Sequence, residues 1–178
     1  HLVRFADDAV LLFEREEDAR RVLRVIYDRF AKYGLTVHPE KTRLVQFTRP
    51  PRDADSPKPH SGTFDLLGFT HYWGCSRRGS WVIKRKTAKD RFRRAVRDIH
   101  DWCRAHRHQP VAQQWRMLSL KLEGHYAYYG VTGNLRSLRA FQHAVRRRWR
   151  YWLSRRSQKG RMPWWRFLYL QEAYPLPP

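Results

Sequence analysis

The run Leu2-Val3-Arg4-Phe5-Ala6-Asp7-Asp8-Ala9-Val10-Leu11-Leu12-Phe13 decides the reading of this chain. Two short stretches rich in strand formers flank a pair of turn-forming acids, the pattern of a β-hairpin with Asp7 and Asp8 at or near its tip. Adjacent carboxylates at a tip have an ordinary reading as turn chemistry. They also have a chemical one, because hard Mg²⁺ prefers carboxylate oxygen and keeps positions open for phosphates.

Outward from the hairpin, Glu16 to Tyr33 changes to helical spacing. Ala19, Val22, Leu23, Ile26, Phe30 and Tyr33 share one face, acids at 16–18 suit the positive helix start, and Gly34 supplies the stop. Leu35-Thr36-Val37 and Thr42 to Phe47 read as short strands around a Pro39-Glu40-Lys41 turn. Residues 48–63, with four prolines, read as a loop. Phe64 to Trp73 and Trp81 to Lys84 read as a strand pair, with Gly68 marking a bulge or a close backbone approach.

After Arg85 three helices are expected. Their buried stripes are Phe92, Val96, Ile99 and Cys103; then Trp115, Leu118, Leu122, Tyr126 and Tyr129, beginning near Pro110; then Leu138, Phe141, Val145, Trp149 and Trp152, after a break at Gly133-Asn134. Lys89, Arg93, Arg97 and Arg104 line another face of the first helix, and Arg139, Arg146, Arg147 and Arg150 another face of the third. The stretch from Met162 to Pro178 is aromatic and ends in prolines. The expected class is α+β, an antiparallel sheet remnant in residues 1–84 followed by an all-helical domain in residues 85–178.

Composition narrows the function. The 178 residues carry a net charge of +21, with 42% hydrophobic and 15% aromatic residues, which is enough for a core and too aromatic for a disordered basic tail. Residues 1–60 hold 12 basic and 10 acidic residues, a net of +2; residues 61–178 hold 25 and 6, a net of +19, and all eight tryptophans. A neutral front and a basic, aromatic back point to a polyanion held by the back. No apolar run approaches the ~20 residues of a membrane span, and Arg4, Asp7 and Asp8 interrupt the only early apolar stretch. Cys75 and Cys103 form neither a disulfide framework nor a zinc pair. His125 lacks clustered partners and is expected to be a hydrogen-bonded structural histidine.

Phe5-Ala6-Asp7-Asp8 resembles the catalytic hairpin of reverse transcriptases, usually Tyr-Ala-Asp-Asp. Further segments follow in the order of the group II intron-encoded reverse transcriptase/maturase family. Gly34-Leu35-Thr36-Val37 with Glu40-Lys41-Thr42 is similar to the next polymerase motif. Phe64-Asp65-Leu66-Leu67-Gly68-Phe69 is similar to the primer grip. Gly124-His125-Tyr126-Ala127-Tyr128-Tyr129-Gly130-Val131 with Asn134, then Trp149, Leu153 and Arg155-Arg156-Ser157, resemble the maturase domain.

The resemblance implies a right-hand polymerase palm in residues 1–84 and a thumb/maturase domain in 85–178. It implies an RNA-directed DNA polymerase in which a primer 3′-hydroxyl attacks a deoxynucleoside triphosphate on an RNA template with Mg²⁺ as cofactor. Asp7 and Asp8 would be metal ligands, and Lys41 would lie near the triphosphate and the leaving pyrophosphate. The backbone of Leu67, Gly68 and Phe69 would support the primer end. Lys89, Arg93, Arg97, Arg139, Arg146, Arg147 and Arg150 would contact nucleic acid. The implied partners are group II intron RNA, a template–primer duplex and a deoxynucleoside triphosphate, in a cytoplasmic ribonucleoprotein setting without a membrane.

The family's site also uses an aspartate on a preceding strand, and fingers that precede it. Only six residues stand before Asp7 and the first is His1, so the chain reads as a fragment expected not to polymerise alone. The competing readings are a non-enzymatic RNA-binding module and a decayed retroelement fragment.

Overall fold

A computed structural model describes residues 1–39, 41–51, 62–157 and 160–178. Strands β1 (Leu2–Phe5) and β2 (Asp8–Leu11) form a two-stranded antiparallel sheet in which Leu2 faces Leu11 and Phe5 faces Asp8. Helix α1 (Glu16–Lys32) follows. Its first turn carries Glu16, Glu17 and Asp18, and Gly34 takes φ +67° just past its end, the left-handed stop that glycine adopts without steric penalty. Ala19 is buried and Val22, Leu23 and Ile26 are half-buried, whereas Phe30 and Tyr33 of the expected face are exposed.

A second sheet has the order β3 (Phe64–Leu66), β4 (Phe69–Cys75), β5 (Trp81–Thr87). The run Phe64 to Trp73, expected as one strand, is two. Leu67 and Gly68 both have positive φ, at 50° and 76°, and turn the chain back on itself. Two residues in left-handed backbone match the right-handed twist of a tight hairpin, so of the two readings of Gly68 the bulge gives way to a hairpin turn, while the close approach is met by the Tyr129 hydroxyl.

Among the described residues, the strands expected at 35–37 and 42–47 do not form. Strand structure requires a ladder, and the main-chain bonds among the described residues here are Leu35 N to Phe30 O at the end of α1, a local turn from Thr42 N to His38 O, and a link from Gly62 N to Gln46 O. Glu40 and residues 52–61 of the expected 48–63 loop lie outside the described residues.

Four helices complete the chain: α2 (Lys89–Ala105), α3 (Val111–Tyr129), α4 (Leu135–Leu153) and α5 (Trp164–Ala173). Strand β5 runs to Thr87, so helix begins later than the basic sequence after Arg85 suggests. Helix α5 is unexpected from sequence, where proline-flanked aromatics hide a ten-residue helix with little segregation of polar from apolar faces.

The chain divides into two compact units, His1–Leu67 with His71–Lys84, and Gly68–Thr70 with Arg85–Pro178. In the second, α4 packs on α2 and α3. Ile99, Cys103, Leu118, Leu122, Phe141, Val145, Trp149, Leu153 and Phe167 form its core. Burial there pushes the Cys103 thiol up to about 12, so it acts as a small hydrophobe rather than a nucleophile.

Two buried amides tie this unit together. Asn134 Oδ1 accepts from Thr87 N, while its Nδ2 donates to Thr87 Oγ1 and to the Tyr129 carbonyl, each at 2.9 Å. Gln114 accepts from Trp149 Nε1 at 3.0 Å and donates to the Arg107 and Gln109 carbonyls. Both amides are 1% exposed, so each satisfies groups that water cannot reach.

Candidate functional site

The hairpin that carries the acids closes through Ala6 and Asp7, and Asp8 opens β2 opposite Phe5. Ala6 has φ +49°, a conformation that costs a residue with a β-carbon roughly 1–2 kcal/mol. Arg4 Nε donates to the Ala6 carbonyl at 3.0 Å and braces the turn. Ladder pairing continues outward, with His1 and Leu12 exchanging backbone bonds at 2.8 and 2.9 Å. Asp7 and Asp8 are both exposed, so their carboxylates are available to a ligand.

As a metal site, this hairpin offers two hard oxygen donors at consecutive positions, the donor chemistry that Mg²⁺ takes while keeping water and phosphate in its other positions. No group of three or more metal-capable side chains occurs among the described residues. The pair therefore fits such an ion in kind and could supply part of its shell.

The second candidate feature is the turn between β3 and β4. Gly68 O accepts from Ala88 N at 2.9 Å, and Phe69 lies against the aromatic end of α3, stacked on Tyr128 at 6.0 Å and edge-on to Tyr129 at 5.3 Å. Among the described residues, Ala6 and Leu67 are the two non-glycine positions with positive φ. They fall in the two turns that the sequence singles out. Strain of this kind persists only where the surroundings over-determine the backbone, and such positions cluster at functional sites.

Lys41 is exposed and follows Glu40, which lies outside the described residues. His125 sits among aromatic rings. Its ring stacks on Phe141 at 3.8 Å and leans on Tyr129 at 4.6 Å, while its buried Nε2 has no hydrogen-bond partner among the described residues. Burial lowers its pKa to about 4, so the ring is neutral at pH 7.

The basic residues separate into two places. Arg93 and Arg97 of α2 come together with Arg148 of α4 around a cavity of about 370 Å³, also lined by Phe92, Val96 and His100. Arg150 instead joins Arg107, Arg155, Arg156 and Arg161 around a larger cavity of about 700 Å³ at the end of α4. Lys89, Arg139 and Arg147 are exposed on their helices, and Arg146 is half-buried with an unpartnered Nε among the described residues. Helical spacing identifies stripes along one helix. It does not identify Arg107, Arg148 or Arg161, which reach these clusters from a loop, another helix and the stretch before α5.

No helix among the described residues is long and apolar enough to cross a membrane. Residues 1–71 match the family model described as reverse transcriptase (RNA-dependent DNA polymerase), about two fifths of the chain. The match contains the Asp7-Asp8 hairpin and ends just past the Leu67-Gly68 turn. No curated protein matches the chain.

Proposed function

We propose that residues 1–84 are palm structure of an RNA-directed DNA polymerase of the group II intron reverse transcriptase/maturase type, and that residues 85–178 are its RNA-holding thumb/maturase domain. The observation that carries this reading is the exposed Asp7-Asp8 pair on a tight hairpin inside a segment that matches reverse transcriptases. Asp7 would hold the divalent ion, with Asp8 in support. When bound, that ion supplies positive charge to phosphate oxygens during nucleotidyl transfer.

The other roles are those that the resemblance to reverse transcriptases implies. Lys41 places a cation where charge develops on a leaving pyrophosphate. The Leu67-Gly68-Phe69 turn presents backbone to a primer end, and its packing on Tyr128 and Tyr129 fixes its geometry. A primer must be held at near-attack distance, and misplacement by about 1 Å costs on the order of 100-fold in rate. The arginines of α2 and α4 contact intron RNA or the template–primer duplex through phosphates.

The test is RNA-templated primer extension with Mg²⁺ by a longer polypeptide in which these residues are joined to fingers and to the preceding aspartate strand. Asp7→Ala is expected to lower the rate by about three orders of magnitude, the equivalent of several kcal/mol of charge stabilisation. Extension that survives Asp7→Ala and Asp8→Ala overturns the catalytic assignment. RNA binding in a polypeptide that never extends a primer favours the non-enzymatic module.

A further inference from the structure

The cavity at the end of α4 differs from an ordinary charged helix face in how its cations are held. Arg155 lies over the Tyr151 ring at 3.9 Å, and Arg150 over the Trp164 ring at 4.3 Å. Arg150 also donates to the Met162 carbonyl at 2.8 Å while its buried Nε has no partner among the described residues. Arg156 donates to the Arg107 and Gln109 carbonyls, and Arg107 donates to the Arg104 carbonyl at 2.9 Å. Every one of these partners is neutral. Among the described residues no carboxylate lines the cavity, and the ion pairs seen, Glu16–Arg20 and Asp90–Arg91, lie elsewhere.

Rings and carbonyls fix a guanidinium without cancelling its charge. A stacked guanidinium uses its face and leaves its in-plane N–H donors free for an anion. The C-terminal end of α4 offsets little of this, since a helix end carries roughly half a negative charge against five arginines. The cluster is thus pre-organised and uncompensated, which lowers the ordering cost of binding an anion. The cavity, about 700 Å³ and open to solvent, also brings the exposed rings of Tyr151 and Trp164 beside the arginines, and such rings stack on unpaired bases rather than on a closed duplex.

We propose that this cavity grips consecutive phosphates of an unpaired nucleic-acid strand, through Arg107, Arg150, Arg155, Arg156 and Arg161. The proposal rests on the RNA-holding role of residues 85–178 and gives that role a specific site, set apart from the Arg93–Arg97–Arg148 cluster. The shared chemistry is the single-stranded phosphodiester backbone, whether RNA or DNA.

The test is a fluorescence-anisotropy titration of the full chain with labelled RNA and DNA single strands and a duplex. Each is about 12 nucleotides long, within the usual size of a single-strand site. Arg155→Ala with Arg161→Ala removes two exposed cations from the cavity. Arg93→Ala with Arg97→Ala removes two from the other cluster. The cavity double variant is expected to bind single strands about tenfold more weakly, with its salt slope reduced by about 1.4, roughly 0.7 for each phosphate no longer held. Its duplex affinity is expected to change less than about twofold.

Arg155→Lys keeps the charge and gives up the planar fork, so a loss of about threefold is expected, with an unchanged melting curve. Loss for both single strands assigns the site to the backbone; loss for RNA alone assigns it to a strand read through its 2′-hydroxyl. A cavity variant that binds single strands like the parent overturns the site, as does an equal loss for the duplex. A parent that binds no oligonucleotide even at low salt overturns the RNA-holding role as well, an outcome recognisable because the unaltered chain fails.

Discussion

The hydroxyl of Tyr129 stands 2.9 Å from the point where a β-carbon at Gly68 would sit. The glycine therefore does two things at once. It adopts φ +76° in the hairpin turn, and it leaves room for a ring from the end of α3 to close over that turn. The candidate primer-supporting backbone and the Tyr-Ala-Tyr-Tyr stretch of α3 are thereby parts of one packing arrangement.

Gly68→Ala is expected to destabilise the chain by roughly 1–2 kcal/mol through its left-handed backbone, plus the clash with the Tyr129 hydroxyl. Tyr129→Phe removes the clash and leaves the backbone cost. In a double-mutant cycle by urea denaturation, the second substitution should cost less beside Gly68→Ala than alone. Strict additivity would show that the ring and the glycine are uncoupled.

Asn134→Ala leaves Thr87 N, Thr87 Oγ1 and the Tyr129 carbonyl without their amide partner in a site 1% exposed. The expected loss is about 1–3 kcal/mol, the cost of leaving the buried Thr87 groups without a partner, since the Tyr129 carbonyl still accepts from Val131 N at 2.8 Å. Asn134→Asp should recover the bond from Thr87 N and lose both donated ones. An Ala variant as stable as the parent in denaturant would refute the bracing role.

His125 has a folded pKa of about 4 against an ordinary 6.5, so the unfolded chain takes up a proton first as pH falls. The histidine's contribution to stability is fully present above about pH 6.5, declines as pH drops from 6.5 toward 4, and levels below that. His125→Phe keeps a ring against Phe141 and removes the titration. Its melting temperature should therefore fall less than the parent's between pH 6.5 and 4. Parallel pH profiles for the two proteins would sink the assignment.

Asp7→Ala is expected to leave folding stability within about 0.5 kcal/mol, since the side chain is exposed, while Mg²⁺-dependent primer extension by a longer polypeptide that also carries fingers and the preceding aspartate is lost. That separation distinguishes a ligand from a turn residue. A large drop in melting temperature without a selective loss of activity would return Asp7 to a structural role.

Features written in neighbouring residues are legible in the sequence. Strand formers on both sides of Asp7-Asp8 mark the hairpin, and Gly34 marks the stop of α1. The apolar spacing of Ile99 and Cys103, Leu118 and Leu122, and Phe141, Val145 and Trp149 marks the core faces of three helices. The residues at 35–37 and 42–47 mislead because strand propensity states a preference, and only a partner makes a strand. Helix α5 is hidden because prolines bound it and its faces differ little in polarity. Yet Phe167 on it is fully buried against Trp149.

Residue type and near-neighbour spacing, with periods of 2 or 3.6, suffice for the α+β class, for most of the element order, for the uneven charge and for the two acids at a tip. Which distant groups meet is a matter of the folded molecule. Asn134 bonds to Thr87 across 47 positions, and Gln114 bonds to Trp149 across 35. Arg107 comes to share a cavity with Arg155 and Arg161. Such pairings are set by how helices pack around a common core, and no local pattern encodes them. The basic surplus is legible as a number; its concentration into a cleft of arginines held by neutral partners requires the fold.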